Sequence, residues 1–189
     1  MNHRIFTSIL AFCMIFLGAN ATIAAMSTEE WIEICIIGTP QDIKDAIRNG
    51  ADAKARDKHG WTVLMWAAMR NTNPETVAAL IDGGADVNAR DNGGSTALMD
   101  AAAFNGNPDV ITALIKGGAD VNAREKDGLT ALIFAARWGK YPEMITALLG
   151  GGADVNLRDE EGKLAIDYAS ENPDIKNTDV YRRLKEAGK

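Results

Sequence analysis

The chain of 189 residues has little from which to build a reactive centre. It contains two histidines and two cysteines, and one of each, His3 and Cys13, falls in the extreme N-terminal stretch. That leaves His59 and Cys35 for the rest of the chain, so His/Cys metal clusters, Cys-His pairs and Ser-His-Asp triads are hard to assemble. Cys35 on its own makes no internal disulfide, whatever the redox compartment. Its apolar neighbours mark it as a core residue. Positive charge is also short: 20 Lys and Arg face 26 Asp and Glu, a formal net charge of −6. An acidic surface argues against a nucleic-acid partner. The apolar run Ile5 to Leu17 falls short of the ~20 residues that span a bilayer.

That run has a meaning of its own. Met1-Asn-His-Arg4 supplies a basic start, Ile5 to Leu17 a short apolar centre, and Ala19-Asn-Ala21 a small-residue cleavage site, the pattern of a secretory signal peptide. Residues 1–21 are thus expected to be removed, with cleavage after Ala25 the second choice. Loss of Arg4 then moves the net charge from −6 to −7. An uncleaved anchor reaching through Ala25 is the alternative, and Asn20 would interrupt it. Cys13 is a poor lipidation site, because Phe12 precedes it where a small residue belongs. Export to a periplasm or beyond is the expected fate, with no stable membrane insertion once the signal is gone.

Against these shortages stands a strict internal period. Gly-Ala-Asp begins at Gly50, Gly84, Gly118 and Gly152, always 34 residues apart, which makes the chain a stack of like units. Four of its five prolines, Pro40, Pro74, Pro108 and Pro142, keep the same interval. Within a unit, Gly60, Gly94, Gly128 and Gly162 follow Asp57, Asp91, Glu125 and Asp159 into a tight turn. Thr62, Thr96 and Thr130 occupy the N-cap of a first helix. The pairs Ala67-Ala68, Ala101-Ala102 and Ala135-Ala136 give that helix a narrow face for close stacking. A second helix opens at Asn73-Pro74-Glu75 and Asn107-Pro108-Asp109, where Asn caps, Pro needs no N–H partner and the acid meets the positive helix end. Its expected buried stripe is Val77, Leu80 and Ile81, then Ile111, Leu114 and Ile115, then Ile145, Leu148 and Leu149. Gly83-Gly84, Gly117-Gly118 and Gly151-Gly152 end it in a left-handed turn. These Gly pairs follow helices, so they are not phosphate loops, and Asp52, Asp86, Asp120 and Asp154 read as turn-capping residues rather than catalytic acids.

Taken together these residues resemble the ankyrin repeat, whose pattern runs Asp-x-x-Gly-x-Thr-Pro-Leu-His, then Ala-Ala, then a second helix ending in Gly-Ala-Asp-Val-Asn-Ala. The resemblance covers residues 27 to 189 and implies an all-α solenoid of five units with β-turn loops. The units are an N-terminal cap at 27–56, repeats at 57–90, 91–124 and 125–158, and a C-terminal cap at 159–189. Tetratricopeptide arrays share a period of about 34 but lack the Gly-Ala-Asp-Val-Asn turn. Three departures stand out. Thr-Pro-Leu-His becomes Thr62-Val-Leu-Met65, Thr96-Ala-Leu-Met99 and Thr130-Ala-Leu-Ile133, so packing must replace a polar link. An extra residue over the usual period of about 33 falls between Ala68 and Glu75, in the interhelix loop. Proline moves to the second helix. Terminal helices are expected from Ser27-Thr28-Glu29-Glu30, a capping-box spacing, and over Val180 to Glu186.

The resemblance implies a non-catalytic protein-binding monomer without cofactor or metal, gripping a partner by the face of turn tips and first helices that the family makes concave. Its contact residues here are Lys58, His59, Trp61, Trp66, Met69 and Arg70, then Asn92, Ser95, Asp100, Ala103 and Phe104, then Lys126, Asp127, Leu129, Phe134, Arg137 and Trp138. Trp66, Phe134 and Tyr168 share one repeat position and are as well suited to packing as to binding. Trp61, Phe104 and Trp138 fall where the family exposes side chains. Arg56, Arg90, Arg124 and Arg158 form a periodic row, each followed by an acid, and are expected as turn-tip ion pairs. Two other readings remain: a binder of small ligands or cell-wall fragments in a pocket around Trp61 and Trp66, and an inhibitor or accessory protein of an envelope enzyme.

Overall fold

Ten helices follow one another in pairs along residues 26–188, the part of the chain that the computed structural model describes. The signal-peptide reading of residues 1–21 and its cleavage position lie outside the described residues. The pairs are α1 (Thr28–Ile37) with α2 (Pro40–Arg48), α3 (Val63–Arg70) with α4 (Pro74–Asp82), and α5 (Ala97–Phe104) with α6 (Pro108–Lys116). Then come α7 (Ala131–Trp138) with α8 (Pro142–Gly150), and α9 (Ala165–Glu171) with α10 (Asp179–Ala187). Odd-numbered helices pack side by side as an inner layer and even-numbered ones as an outer layer. Among the described residues there is no strand, only a single antiparallel bridge between Arg56 and Thr62 at a turn base. No helix among them is long and apolar enough to cross a membrane.

The inner layer is close because its contact face is small. Ala67, Ala68, Ala101, Ala102, Ala135 and Ala136 are all buried, so neighbouring backbones approach without a side chain between them. Thr62 Oγ1 accepts from the Met65 N–H at 3.2 Å and Thr130 Oγ1 from the Ile133 N–H at 3.4 Å. Thr96 occupies the same position without a side-chain cap bond. The apolar replacement of the family histidine is not wholly apolar in effect, since the Thr62 N–H points at Met65 Sδ, 3.4 Å away.

The outer stripe differs by one residue from the pattern read in sequence. Val77, Leu80, Ile111, Leu114, Ile145 and Leu148 are fully buried as expected, but the third member of each set is Thr76, Val110 or Met144. Ile81, Ile115 and Leu149 are only half-buried. Their register turns them toward the next unit. Ile47, Ile81 and Ile115 set their Cδ1 atoms where a Cβ at Gly83, Gly117 or Gly151 would stand. Those first glycines have ordinary negative φ, of −78°, −75° and −84°. Within each pair only the second glycine is left-handed, with φ of 99° at Gly84, 94° at Gly118 and 92° at Gly152, as is Gly50 after Asn49, at 102°. Each Gly-Gly pair therefore meets two separate demands, a close interunit contact and then a positive φ.

Both ends are closed as the local sequence dictates. Ser27 and Glu30 form a reciprocal capping box, with bonds of 3.2 and 2.9 Å, and the Trp31 indole N–H reaches the Asp52 carbonyl at 2.9 Å. Cys35 is completely buried beside it, and that burial pushes its thiol pKa up. At the far end α10 buries Leu184 and leaves a charged face to solvent, as a terminal repeat must.

Candidate functional site

The turn tips are built by their first acid. Asp57 Oδ1 accepts from the backbone N–H of His59 at 2.8 Å and of Trp61 at 2.9 Å. Asp91 does the same for Gly93 and Ser95, and Asp159 for Glu161 and Lys163. Glu125, one methylene longer, holds Asp127 and Leu129. With Gly60, Gly94, Gly128 and Gly162 at φ of 82°, 91°, 81° and 76°, each tip is a rigid clasp. Successive tips are also tied through backbone bonds, such as Glu160 N–H to the Asp127 carbonyl at 3.0 Å.

The arginine row does not form the expected ion pairs. Arg56 Nη1 donates to the carbonyls of Gly60 and Arg90, at 2.7 and 2.8 Å, and Arg90 Nη1 to those of Gly94 and Arg124, at 2.8 and 2.6 Å. The acids are already committed to N–H groups within their own turns, so the guanidiniums of Arg56 and Arg90 turn to their own turn and to the next unit, and that of Arg158 to the Gly162 carbonyl of its own turn. Asp52, Asp86, Asp120 and Asp154 do cap turns, each accepting from an N–H two residues on.

Two repeat positions carry the inner face. The first holds Trp66, Asp100, Phe134 and Tyr168, one on each of α3, α5, α7 and α9. Where that residue can donate, it binds the acid of its own tip: Trp66 Nε1 lies 3.3 Å from Asp57 Oδ2, and the Tyr168 hydroxyl 2.5 Å from Asp159 Oδ2. Burial opposes the charge of Asp159, but that phenol and the N–H groups of Lys163 and Glu161 outweigh it and hold the carboxyl pKa low. The same bond, with burial, raises the Tyr168 pKa. Asp100 has no proton donor to offer while it is ionised. It is buried, its Oδ2 has no hydrogen-bond partner, and burial together with the Asp91 charge pushes its pKa up to about 8.

The second position ends the inner helices and holds Arg70, Phe104 and Trp138. All three are exposed, Phe104 by 54% and Trp138 by 42%. Phe134 meets Trp138 edge-on at 4.9 Å, and the Arg137 guanidinium lies 4.5 Å from the Trp138 ring and 4.9 Å from that of Tyr168. Trp61 and Trp66 touch at 4.9 Å, and both are half-buried. Lys58, His59 and Arg137 are exposed and Ser95 is half-buried.

Four residues of the expected surface are corrected. Met69, Leu129, Asp100 and Ala103 are 8%, 6%, 3% and 3% exposed, so the stripe through Trp61, Met69, Phe104, Leu129 and Trp138 is interrupted twice by core. Leu129 follows the turn glycine and is drawn under the tip by the Glu125 clasp, and Met69 packs inward at the end of α3. Exposed Tyr141 was missed, though it lies across Gly106, the kind of loop glycine that leaves room for a ring.

A ladder of asparagines also escaped the sequence reading. Asn71 Nδ2 donates to the carbonyls of Cys35 and Gly38, Asn105 Nδ2 to Ala68 and Asn71, and Asn172 Nδ2 to Ala136 and Gly139. Their recurrence after Ala67-Ala68 and Ala101-Ala102 was the available signal. Among the described residues no group of three or more His, Cys, Asp or Glu is placed to hold a metal ion.

Residues 32–125 and 98–189 match the family model described as ankyrin repeats (3 copies), which together take in most of the chain. The chain belongs to the ankyrin-repeat family. A search of curated proteins finds no match.

Proposed function

We propose that this chain is an exported, non-catalytic protein that binds another protein through the inner face of its ankyrin stack. The observation that carries the reading is the exposure of Phe104 and Trp138 at one repeat position on adjacent, packed helices. Large aromatic side chains cost little conformational entropy to immobilise and dominate interface energetics. The export half rests on the basic start, short apolar run and Ala19-Asn-Ala21 site. An acidic net charge of −6 suits a basic partner, including a basic envelope enzyme under inhibition.

Replacing Phe104 and Trp138 together by alanine tests the reading, since neither belongs to the repeated core. Capture of partners from an envelope extract is expected to weaken by about 2 kcal/mol or more per true anchor, while the melting transition stays cooperative. Alanine at Glu75 and Thr112, exposed on the outer helices, is the control and leaves capture unchanged. Unaltered capture by the aromatic double variant refutes the inner-face assignment. The small-ligand alternative is less well supported. Trp61 and Trp66 fill the space between them, and a shallow hollow of about 440 Å³ lies instead on the outer side, between α4 and α6.

A further inference from the structure

Asp100 is out of keeping with its register. The equivalent residues Trp66 and Phe134, on the helices packed to either side, are half-buried, whereas Tyr168 is buried, so beside Asp100 this position borders the inner face. A carboxylate is shorter than either ring, and Asp100 is only 3% exposed. In the second and fifth units the same position satisfies the tip acid with an indole N–H or a phenol. Here an acid faces an acid, Asp91, and Asp100 Oδ2 is left without any partner.

The chain supplies no cation to this place, although it does so elsewhere. Around Tyr168 stand Arg137, 4.9 Å from the ring, and Lys163, 5.3 Å from it. Two repeats earlier, those two positions around Asp100 are Met69 and Ser95. The charged groups on the neighbouring elements are Arg70 at the end of α3, Asp109 and Lys116 on α6, Arg137 on α7 and Asp91 on the turn. Of these only Asp91 bears on the Asp100 carboxyl, and it repels. Among the described residues no salt bridge reaches either acid.

We propose that Asp100 anchors a lysine or arginine side chain of the bound protein, its cationic head received between Trp66 and Phe134 and paired with the carboxylates of Asp100 and Asp91. Aromatic faces beside paired acids favour a desolvated cation; the orphaned Asp100 Oδ2 gains a donor, and Asp91 receives the one that Trp66 and Tyr168 give to the tip acids of their own units. Before binding, Asp100 carries a proton at neutral pH. Pairing releases that proton to solvent, so affinity rises with pH up to about 8.

This rests on the inner-face reading, and a single experiment separates the two. A random-peptide library is selected on the chain at pH 8, and the enriched peptides are retested against Trp138→Ala and Asp100→Asn. Peptides that need Trp138 are expected to carry one indispensable Lys or Arg. Its replacement by norleucine, or Asp100→Asn, lowers affinity about tenfold or more, and the two changes together cost little beyond either alone. The norleucine arm leaves the protein untouched, so a folding defect in Asp100→Asn does not decide the outcome. Affinity for the basic peptides falls toward pH 6, and that for the norleucine peptides does not. Trp138-dependent peptides without a coupled basic residue overturn the anchor and leave the inner-face reading standing. Absence of any Trp138-dependent peptide overturns both.

Discussion

The Cδ1 atom of Ile81 lies 2.6 Å from where a Cβ on Gly117 would be, whereas a Cβ on the next residue, Gly118, would meet nothing within 4 Å. Adjacent glycines thus resist substitution for unlike reasons. Gly117→Ala is expected to cost about 1–3 kcal/mol through overpacking, and Gly118→Val a similar amount through its φ of 94°. Chemical denaturation of the variants with and without Ile81→Val separates the causes. Removing Cδ1 should couple favourably with Gly117→Ala by about 1 kcal/mol and leave the Gly118→Val loss unchanged. Equal response of both glycine variants would contradict the division.

Asn105 offers a second check on interunit coupling. Its amide reaches the Ala68 carbonyl at 2.7 Å and the Asn71 carbonyl at 3.0 Å while its Oδ1 accepts from the Asn107 N–H at 2.8 Å. Asn105→Ala leaves buried groups unpaired and should cost about 1–3 kcal/mol. Asn105→Asp, which sets a carboxylate against two carbonyls, should cost more. Thermal melts that rank aspartate as the milder change would refute this geometry.

Stability should fall with rising pH because of Asp100. Its folded pKa of about 8 exceeds the value near 4 of an unfolded aspartate, so the unfolded chain gives up that proton first. The loss begins near pH 4, has a limiting slope of about 1.4 kcal/mol per pH unit, and levels off above the folded pKa. Asp159 has the opposite sign, its low folded pKa withdrawing stability only as pH drops below the ordinary carboxylate range. Melting temperatures at pH 5 and pH 8.5 measure the effect, and Asp100→Asn should remove most of the difference between them.

Export is checked by mass. Intact-mass analysis of the fractionated protein should find a chain beginning at Thr22 or Met26, free of the membrane. A full-length species held in the membrane would instead establish the uncleaved anchor.

What could be read in the sequence was whatever one unit decides for itself. Caps at Ser27, Thr62 and Asn73, helix starts at each Pro, and turns at Gly60 and Gly84 depend on neighbours a few residues away, and the structure keeps them. The arginine row, the asparagine ladder and the first glycine of each pair depend on a residue about one period distant, which a linear pattern does not bring together. Asp100 was picked out as a groove residue on register alone. Its isolation lies in a comparison across periods: Trp66 and Tyr168 donate to Asp57 and Asp159, and Asp100 gives Asp91 no such bond.

Gly139 occupies the rung of the asparagine ladder between the third and fourth units, and it has no amide to extend. The carbonyls of Ala102 and Asn105, which the register presents at that joint, lose the peg that Asn71, Asn105 and Asn172 drive home elsewhere. Under tension the stack should therefore part here first, behaving as two stiff blocks about a softer joint. Phe104 and Asp100 stand on one block, Phe134 and Trp138 on the other. Anything gripped by both sides of that line splints the joint, so occupancy would register as a rise in rupture force at a place the bound protein need not touch.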